Sequence, residues 1–392
     1  MQFTGLEFLF WASMAVTPFT VVFLRGRGIS NSTIGLMLAF NSLIGIFAQP
    51  FWGIISDWLK SVKKVFIICF SACAISYCLL PFTRSVIFVA VVLAVDVFFR
   101  SSLATLLDTW VIFSISNNSG ISYGSVRLWG SVGFAIMAYI FGKLINGMSI
   151  SIMFPIYFIV VLVTVIFCSR IESGNASFTG MKLKDINVGK LFKNYNYIAF
   201  IIFALLLQIP NTPAFSFLPN LVEQLGGSRE QYGLIASLKA FVEIPFFILG
   251  KYLLDRFGHM RLLVFSSCLY VLQQFLYFKA ASTNQVLGAA LLSGPAFSLF
   301  LMGMLYYIYS MSPEGSKATA QTLASALSLN LGSIIGNYGG GLVIDNFGLK
   351  SIFLMGAIIQ SSAILLFVLY LLVSKRFAGI KQYETNIVEN DV

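Results

Sequence analysis

Charge is scarce in this chain. Asp, Glu, Lys and Arg supply only 10% of its 392 residues, against about 25% in soluble domains. Hydrophobic residues supply 58% and aromatics 15%. A soluble fold of this length has too little polar surface to cover so much apolar side chain, so lipid is its main solvent. Histidine is scarcer still, with His259 alone. One imidazole in a loop, with no HExxH and no Gly-x-Ser-x-Gly, argues against an enzyme. The five cysteines, Cys69, Cys73, Cys78, Cys168 and Cys268, fall inside apolar runs. No pair flanks an outer loop, so no disulfide is expected. Cys69 and Cys73 share a helix face, but no histidine stands nearby. They read as packing residues, and no metal or cofactor is expected.

What the chain has in abundance is apolar runs of membrane-spanning length, about 20 residues each. None alternates like a barrel strand. The expected fold is an all-α polytopic membrane protein. Its twelve transmembrane helices cover 4–24, 32–56, 64–82, 86–115, 122–146, 150–169, 196–221, 230–255, 260–280, 284–311, 317–345 and 349–374. The first run follows Met1 directly and has no small-residue cleavage site, so no cleavable signal is expected.

The net charge of +10 suggests nucleic acid until it is mapped. With the N-terminus inside, 15 Lys and Arg fall in cytoplasmic loops and tail, and seven in external loops. That is the positive-inside pattern of a cell-membrane protein with both termini cytoplasmic. The expected partners are membrane lipid and a small solute, not nucleic acid, and the expected state is a monomer.

A loop is repeated half a chain apart. Residues 53–64 read GIISDWLKSVKK, and residues 250–261 read GKYLLDRFGHMR. Asp57 and Asp255 are 198 positions apart, and Gly28 and Gly35 match Gly226 and Gly233 at the same offset. Ser30 and Ser228 read as N-caps of helices 2 and 8, with Gln231 completing a capping box. The reading is an N-terminal bundle (1–169), a cytoplasmic linker (170–195), a C-terminal bundle (196–375) and a polar, disordered tail (376–392). The linker's second half is expected to lie as a short helix on the membrane surface. Gly53, Asp57, Asp255, Arg256 and Arg261 are expected to form cytoplasmic gate contacts. Helices 5 and 11 are rich in Gly, which permits close backbone approach. Pro18, Pro50, Pro210, Pro213 and Pro245 are expected to kink or unwind their spans.

Ionisable groups at mid-membrane cost roughly 2.5–3.5 kcal/mol each on insertion scales. Those present are Asp96, Arg100 and Asp108 in helix 4, Arg127 in helix 5, and Lys239 and Glu243 in helix 8, with Glu7 near the start of helix 1. Asp96 and Arg100 are spaced i, i+4, as are Lys239 and Glu243. Asp108 and Arg127 can meet across the helix 4–5 hairpin. Each pair is either a structural ion pair or a proton-coupling device in which the solute displaces the cation and shifts its carboxylate. Asn41, Gln208, Asn211, Asn330 and Asn337 offer hydrogen bonds to an uncharged ligand. Trp11, Trp110 and Phe134 offer ring faces.

Parallel half-repeats with matched loops resemble the major facilitator superfamily. The run Leu106-Leu107-Asp108 followed by YGSVRLWGSVGF (123–134) resembles a particular branch. It holds phenylpropionate-type permeases, nucleoside–proton symporters and lactose-permease-like sugar symporters. The resemblance implies that Asp108 and Arg127 hold the solute, that Phe134 stacks on its ring, and that Glu243 is the helix 8 carboxylate, about one turn displaced. Helices 9 and 10 lack the arginine, histidine and glutamate of the lactose permease, so galactoside specificity does not carry over. Asp108 or Glu243 is then the expected proton carrier, with a proton gradient as energy source. The expected function is proton-coupled uptake of a sugar, oligosaccharide or nucleoside. An aromatic-acid importer, a drug-efflux antiporter and a non-transporting membrane sensor are the alternatives. Helix 5 lacks the Gly-Pro-Gly stretch of the antiporters.

Overall fold

The computed structural model describes residues 2–82, 85–115, 123–171, 193–311 and 317–390. Most of the linker, with its expected surface helix, lies outside them. Among the described residues the regular structure is helical throughout.

Each apolar run becomes a span, numbered here in chain order. In the first half these are α1 (Gln2–Met14 and Phe19–Gly26), α2 (Asn31–Trp58), α3 (Val62–Cys78), α4 (Val86–Arg100 and Leu103–Ile115), α5 (Tyr123–Gly147) and α6 (Met153–Arg170). In the second half they are α7 (Tyr195–Gln224), α8 (Arg229–Phe257), α9 (His259–Lys279), α10 (Thr283–Ala290 and Ser293–Met311), α11 (Lys317–Ser325 and Leu331–Phe347, joined by a π turn) and α12 (Ser351–Asn390). Eleven of these segments are long and apolar enough to cross a bilayer. The π turn interrupts α11, the remaining span.

The breaks have local causes. Pro18 stops α1, while Pro50, Pro210, Pro213 and Pro245 are accommodated inside continuous helices. The sequence suggests an unbroken helix 4, yet α4 turns at Ser101–Ser102. Gln49 Nε2 donates to the Ser101 carbonyl at 3.1 Å, which satisfies a group the broken ladder leaves open. The tail was expected to be disordered, but α12 runs on to Asn390.

The N-caps form as the sequence suggests. Ser30 Oγ accepts from Thr33 N at 3.2 Å. Ser228 and Gln231 close a reciprocal capping box.

The repeat is visible in the backbone. Gly28 and Gly226 have φ of 79° and 77°, and Lys60 and Gly258 have φ of 49° and 76°. Both pairs are 198 residues apart. The two charged loops therefore carry a positive φ at the matched position, and Lys60 adopts it against the steric preference of a residue with a Cβ.

The halves meet through α2 against α11, α5 against α8, and the outer part of α1 against α7. We call the end bearing the twin charged loops the near side, and the other end the far side. The contacts between halves gather at the far side, where glycines let backbones touch. A Cβ on Gly35 would strike the Asn337 carbonyl of α11, and one on Gly341 would strike the Asn31 carbonyl of α2. Gly142 of α5 and Gly233 of α8 face each other, a Cβ on either falling 2.8 Å from the other's Cα. Gly35 and Gly233 are the matched glycines of the repeat. Asp345 then reaches from α11 to the start of α2, accepting from Asn31 Nδ2 at 2.9 Å and Ser32 N at 2.7 Å. The far side is shut by two related helix crossings and a carboxylate cap.

Candidate functional site

A cavity lies where the bundles face each other, in two lobes that share Phe215, Leu218, Lys239, Glu243 and Phe297. The lobe of about 210 Å³ is bounded by Trp11, Pro18, Arg127, Gly130, Ser131 and Phe134 of the first bundle and Tyr232, Ala236, Lys239 and Glu243 of α8. The lobe of about 410 Å³ is bounded by Gln208, Asn211 and Thr212 of α7, Tyr270, Gln273, Gln274 and Tyr277 of α9, Ser293 of α10 and Ser333 of α11. The larger lobe alone falls in the roughly 300–1,000 Å³ range of small-molecule sites. A wider groove of about 760 Å³ between α2 and α4 is lined by Leu36, Met37, Phe40, Val91 and their apolar neighbours. Its lining gives a polar solute little to orient on.

The cavity brings together expected residues far apart in the chain. Arg127 and Phe134 face Lys239 and Glu243, with Gln208 and Asn211 beyond. The Arg127 guanidinium lies 4.2 Å over the Trp11 ring, a contact worth about 0.5–2 kcal/mol when dry. Lys239 Nζ sits 5.3 Å from the Phe215 ring centre. Lys239 and Glu243 share a face but do not close an ion pair among the described residues, which leaves both available to a ligand. Asp108 is half-buried on α4 and stands in the electrostatic surroundings of Glu7 together with Arg127.

Asp96 and Arg100 do close an ion pair, Nε to Oδ2 at 2.9 Å, with Asp96 buried. Arg100 also donates to Thr17 Oγ1 at 3.3 Å. With Asn41 and Tyr77 of the first bundle and Phe215 and Ser216 of α7 it lines a small pocket of about 70 Å³ between the bundles. Asn41 therefore faces this small pocket and lines neither lobe. Asn337 is buried in the α2–α7–α11 contact, where it accepts from Ser216 Oγ at 3.2 Å. Asn330 falls in the π turn of α11, outside both linings. Trp110 is a core residue, edge-on to Phe3 at 5.5 Å. The gate residues Asp255, Arg256 and Arg261 are exposed. Arg256 donates to Tyr252 Oη at 2.6 Å within its own helix. Gly53 is half-buried, and the Asp57 side chain lies outside the described residues.

The sequence reading gave two groups no role. One is the α9 face of Tyr270, Gln273, Gln274 and Tyr277. Its i, i+3, i+4, i+7 spacing was legible, but nothing in it is charged. The other is Glu7, which is fully buried although it stands near a helix start, where an acid usually reads as solvated.

Two glycine-lined helix crossings closing one end of a pair of six-helix bundles, over a cavity that both bundles line, are the architecture of a secondary membrane transporter of the major facilitator fold. The chain belongs to the MFS_1 like family, which matches residues 1–355. It is 24% identical to the maltose permease of Geobacillus stearothermophilus over 92% of this chain and 91% of that protein. It is 23% identical to the nucleoside permease NupG of Escherichia coli over 87% and 86% of the two chains. It is 24% identical to the uncharacterized transporter YwbF of Bacillus subtilis, covering 90% of this chain and 88% of the other. The solved nucleoside transporter NupG shares the fold with a TM-score of 0.83, at 17% identity over 94% and 97% of the two chains. A D-xylose–proton symporter shares it with a TM-score of 0.66, at 16% identity over 93% and 95%.

Proposed function

We propose that this transporter imports a small neutral solute, a sugar or nucleoside, together with protons. The carrying observation is the composition of the cavity wall. Charged groups from both bundles, Arg127 on one side and Lys239 with Glu243 on the other, line the smaller lobe, and Lys239 and Glu243 also border the larger lobe, which is rich in amides and hydroxyls. The amides can pair with hydroxyl or base edges. The charges can change partners when the solute enters. Relatives named for maltose, nucleoside, sucrose and xanthosine support this class of cargo.

In this reading the near side is cytoplasmic, which the Lys and Arg distribution supports, and the protein sits in the cell membrane. The bundles 1–169 and 196–375 rock about the cavity as units, and the linker 170–195 tethers them. With the far side shut, the cavity faces the cytoplasm. Asp108 and Glu243 are the carboxylates placed to exchange a proton near the solute, and Arg127 and Lys239 are the cations they answer to. Asp96–Arg100 holds the first bundle together.

Proteoliposomes offer the test, with maltose, sucrose, uridine and xanthosine as probes. Adding a transported probe without any gradient is expected to alkalinise the external medium. Asp108→Asn or Glu243→Gln is expected to abolish that proton uptake. Normal coupling in both variants would contradict the assignment.

A further inference from the structure

Glu7 is a buried acid that the scheme above leaves idle. It is fully enclosed where α1 crosses α5, and neither carboxyl oxygen finds a hydrogen-bond partner. Its surroundings are specific. A Cβ placed on Gly130 would lie 3.0 Å from Glu7 Oε2, 2.7 Å from Arg127 Nη1 and 2.5 Å from Trp11 Cδ1. The carboxyl, the guanidinium and the indole edge thus converge on a point that only a glycine leaves open. Trp11 is one turn along α1 from Glu7, and its indole N–H, which closes no hydrogen bond of standard geometry, is the donor nearest the carboxyl. The charged groups acting on Glu7 are Arg127 from α5 and Asp108 from α4. At this level α6 presents Phe167 against Gly5.

An ionised carboxylate buried without hydrogen bonds costs several kcal/mol, whereas its protonated form does not. Arg127 cannot shed its own charge. The guanidinium therefore has two resting places within reach, the Trp11 face and the Glu7 oxygens, and the proton on Glu7 decides between them.

We propose that Glu7 is a further station of the transported proton, beside Asp108 and Glu243, and that it acts by releasing or claiming Arg127. This rests on the proton-symport reading above. With a proton on Glu7, Arg127 lies on Trp11, and both line the cavity as seen here. When that proton leaves to the near side, the carboxylate accepts a guanidinium N–H. Arg127 then quits Trp11, and the wall that held the solute changes shape. One proton enters on Glu7 and one leaves, and no other bond is made or broken. Asp108 tunes the exchange by competing for the same guanidinium.

Two experiments decide it. The first needs no solute. Trp52, Trp58, Trp110 and Trp129 are replaced by Phe, leaving Trp11 as the reporter. Its emission is titrated between about pH 5 and 9, the interval in which a perturbed carboxyl is expected to be read. A one-proton transition is expected, retained in Glu7→Asp and lost in Glu7→Gln. The same transition in Glu7→Gln would overturn the proposal. The second keeps every tryptophan, in case the quadruple replacement does not fold. In proteoliposomes Glu7→Gln is expected to keep solute exchange at equal concentrations, which moves no net proton, and to lose accumulation driven by a proton gradient. A native protein that couples and a Glu7→Gln variant that couples equally overturn the role of Glu7 alone. A native protein that moves its solute without protons overturns the symport reading itself.

Discussion

At the scale of single residues, the membrane-embedded charges divide by what they touch. Asp96 is buried and paired with Arg100 inside one bundle, away from the cavity lobes. Removing one partner of such a pair strands the other. Asp96→Asn or Asp96→Ala is therefore expected to cost about 3–5 kcal/mol, read as a marked drop in melting temperature in detergent. The proton-to-solute ratio of the surviving protein is expected to stay unchanged. Loss of coupling without loss of stability would move Asp96 into the transport machinery. Lys239 and Glu243 show the opposite arrangement. The same i, i+4 spacing leaves them unpaired and facing the cavity. Spacing made both pairs legible in the sequence. It could not say which would close, because that depends on Thr17 and on the ring of Phe215, which sit on other helices.

At the scale of elements, the repeat explains the far-side closure. Gly35 and Gly233 are equivalent positions on α2 and α8, and each touches the backbone of the helix from the other half. A side chain there has nowhere to go. Gly35→Leu and Gly233→Leu are expected to force α2 from α11, or α5 from α8, and to hold the far side open. The measurement is labelling of an introduced far-side cysteine by an impermeant thiol reagent, which is expected to accelerate. Asp345→Ala removes the cap on α2 and is expected to shift labelling in the same direction, but less. Unchanged labelling in both glycine variants would show that these crossings do not gate access. Element positions were almost fully legible, because caps and apolar runs are local properties. The turn at Ser101–Ser102 and the π turn in α11 were not. The first depends on a partner distant in sequence, Gln49 on the Ser101 carbonyl, and the second packs against α7 of the same half. Asn337 shows the same limit. As a polar residue in a span it reads as ligand-facing, yet it serves a three-helix contact.

At the scale of the whole molecule, two bundles share one cavity and supply different things to it. The first bundle contributes cationic and aromatic surface through Arg127, Trp11 and Phe134. The second contributes amides, hydroxyls and the Lys239–Glu243 pair. That division is where the repeat fails. Lys239 and Glu243 stand at the positions of Asn41 and Gly45 in the other half. The matched positions of the first half carry no charge, so the scaffold itself does not require the two that line the cavity. Transport by rocking bundles requires the cavity contents to be stable in both orientations. In the proposed symport, exchange of charge partners is the means by which a proton gradient biases the cycle.

The most direct test of proton-driven import is accumulation in proteoliposomes carrying an imposed pH gradient, alkaline inside. The account predicts that a transported sugar or nucleoside concentrates inside, and that a protonophore collapses it to equilibrium. Accumulation indifferent to the gradient and to the protonophore would contradict the account.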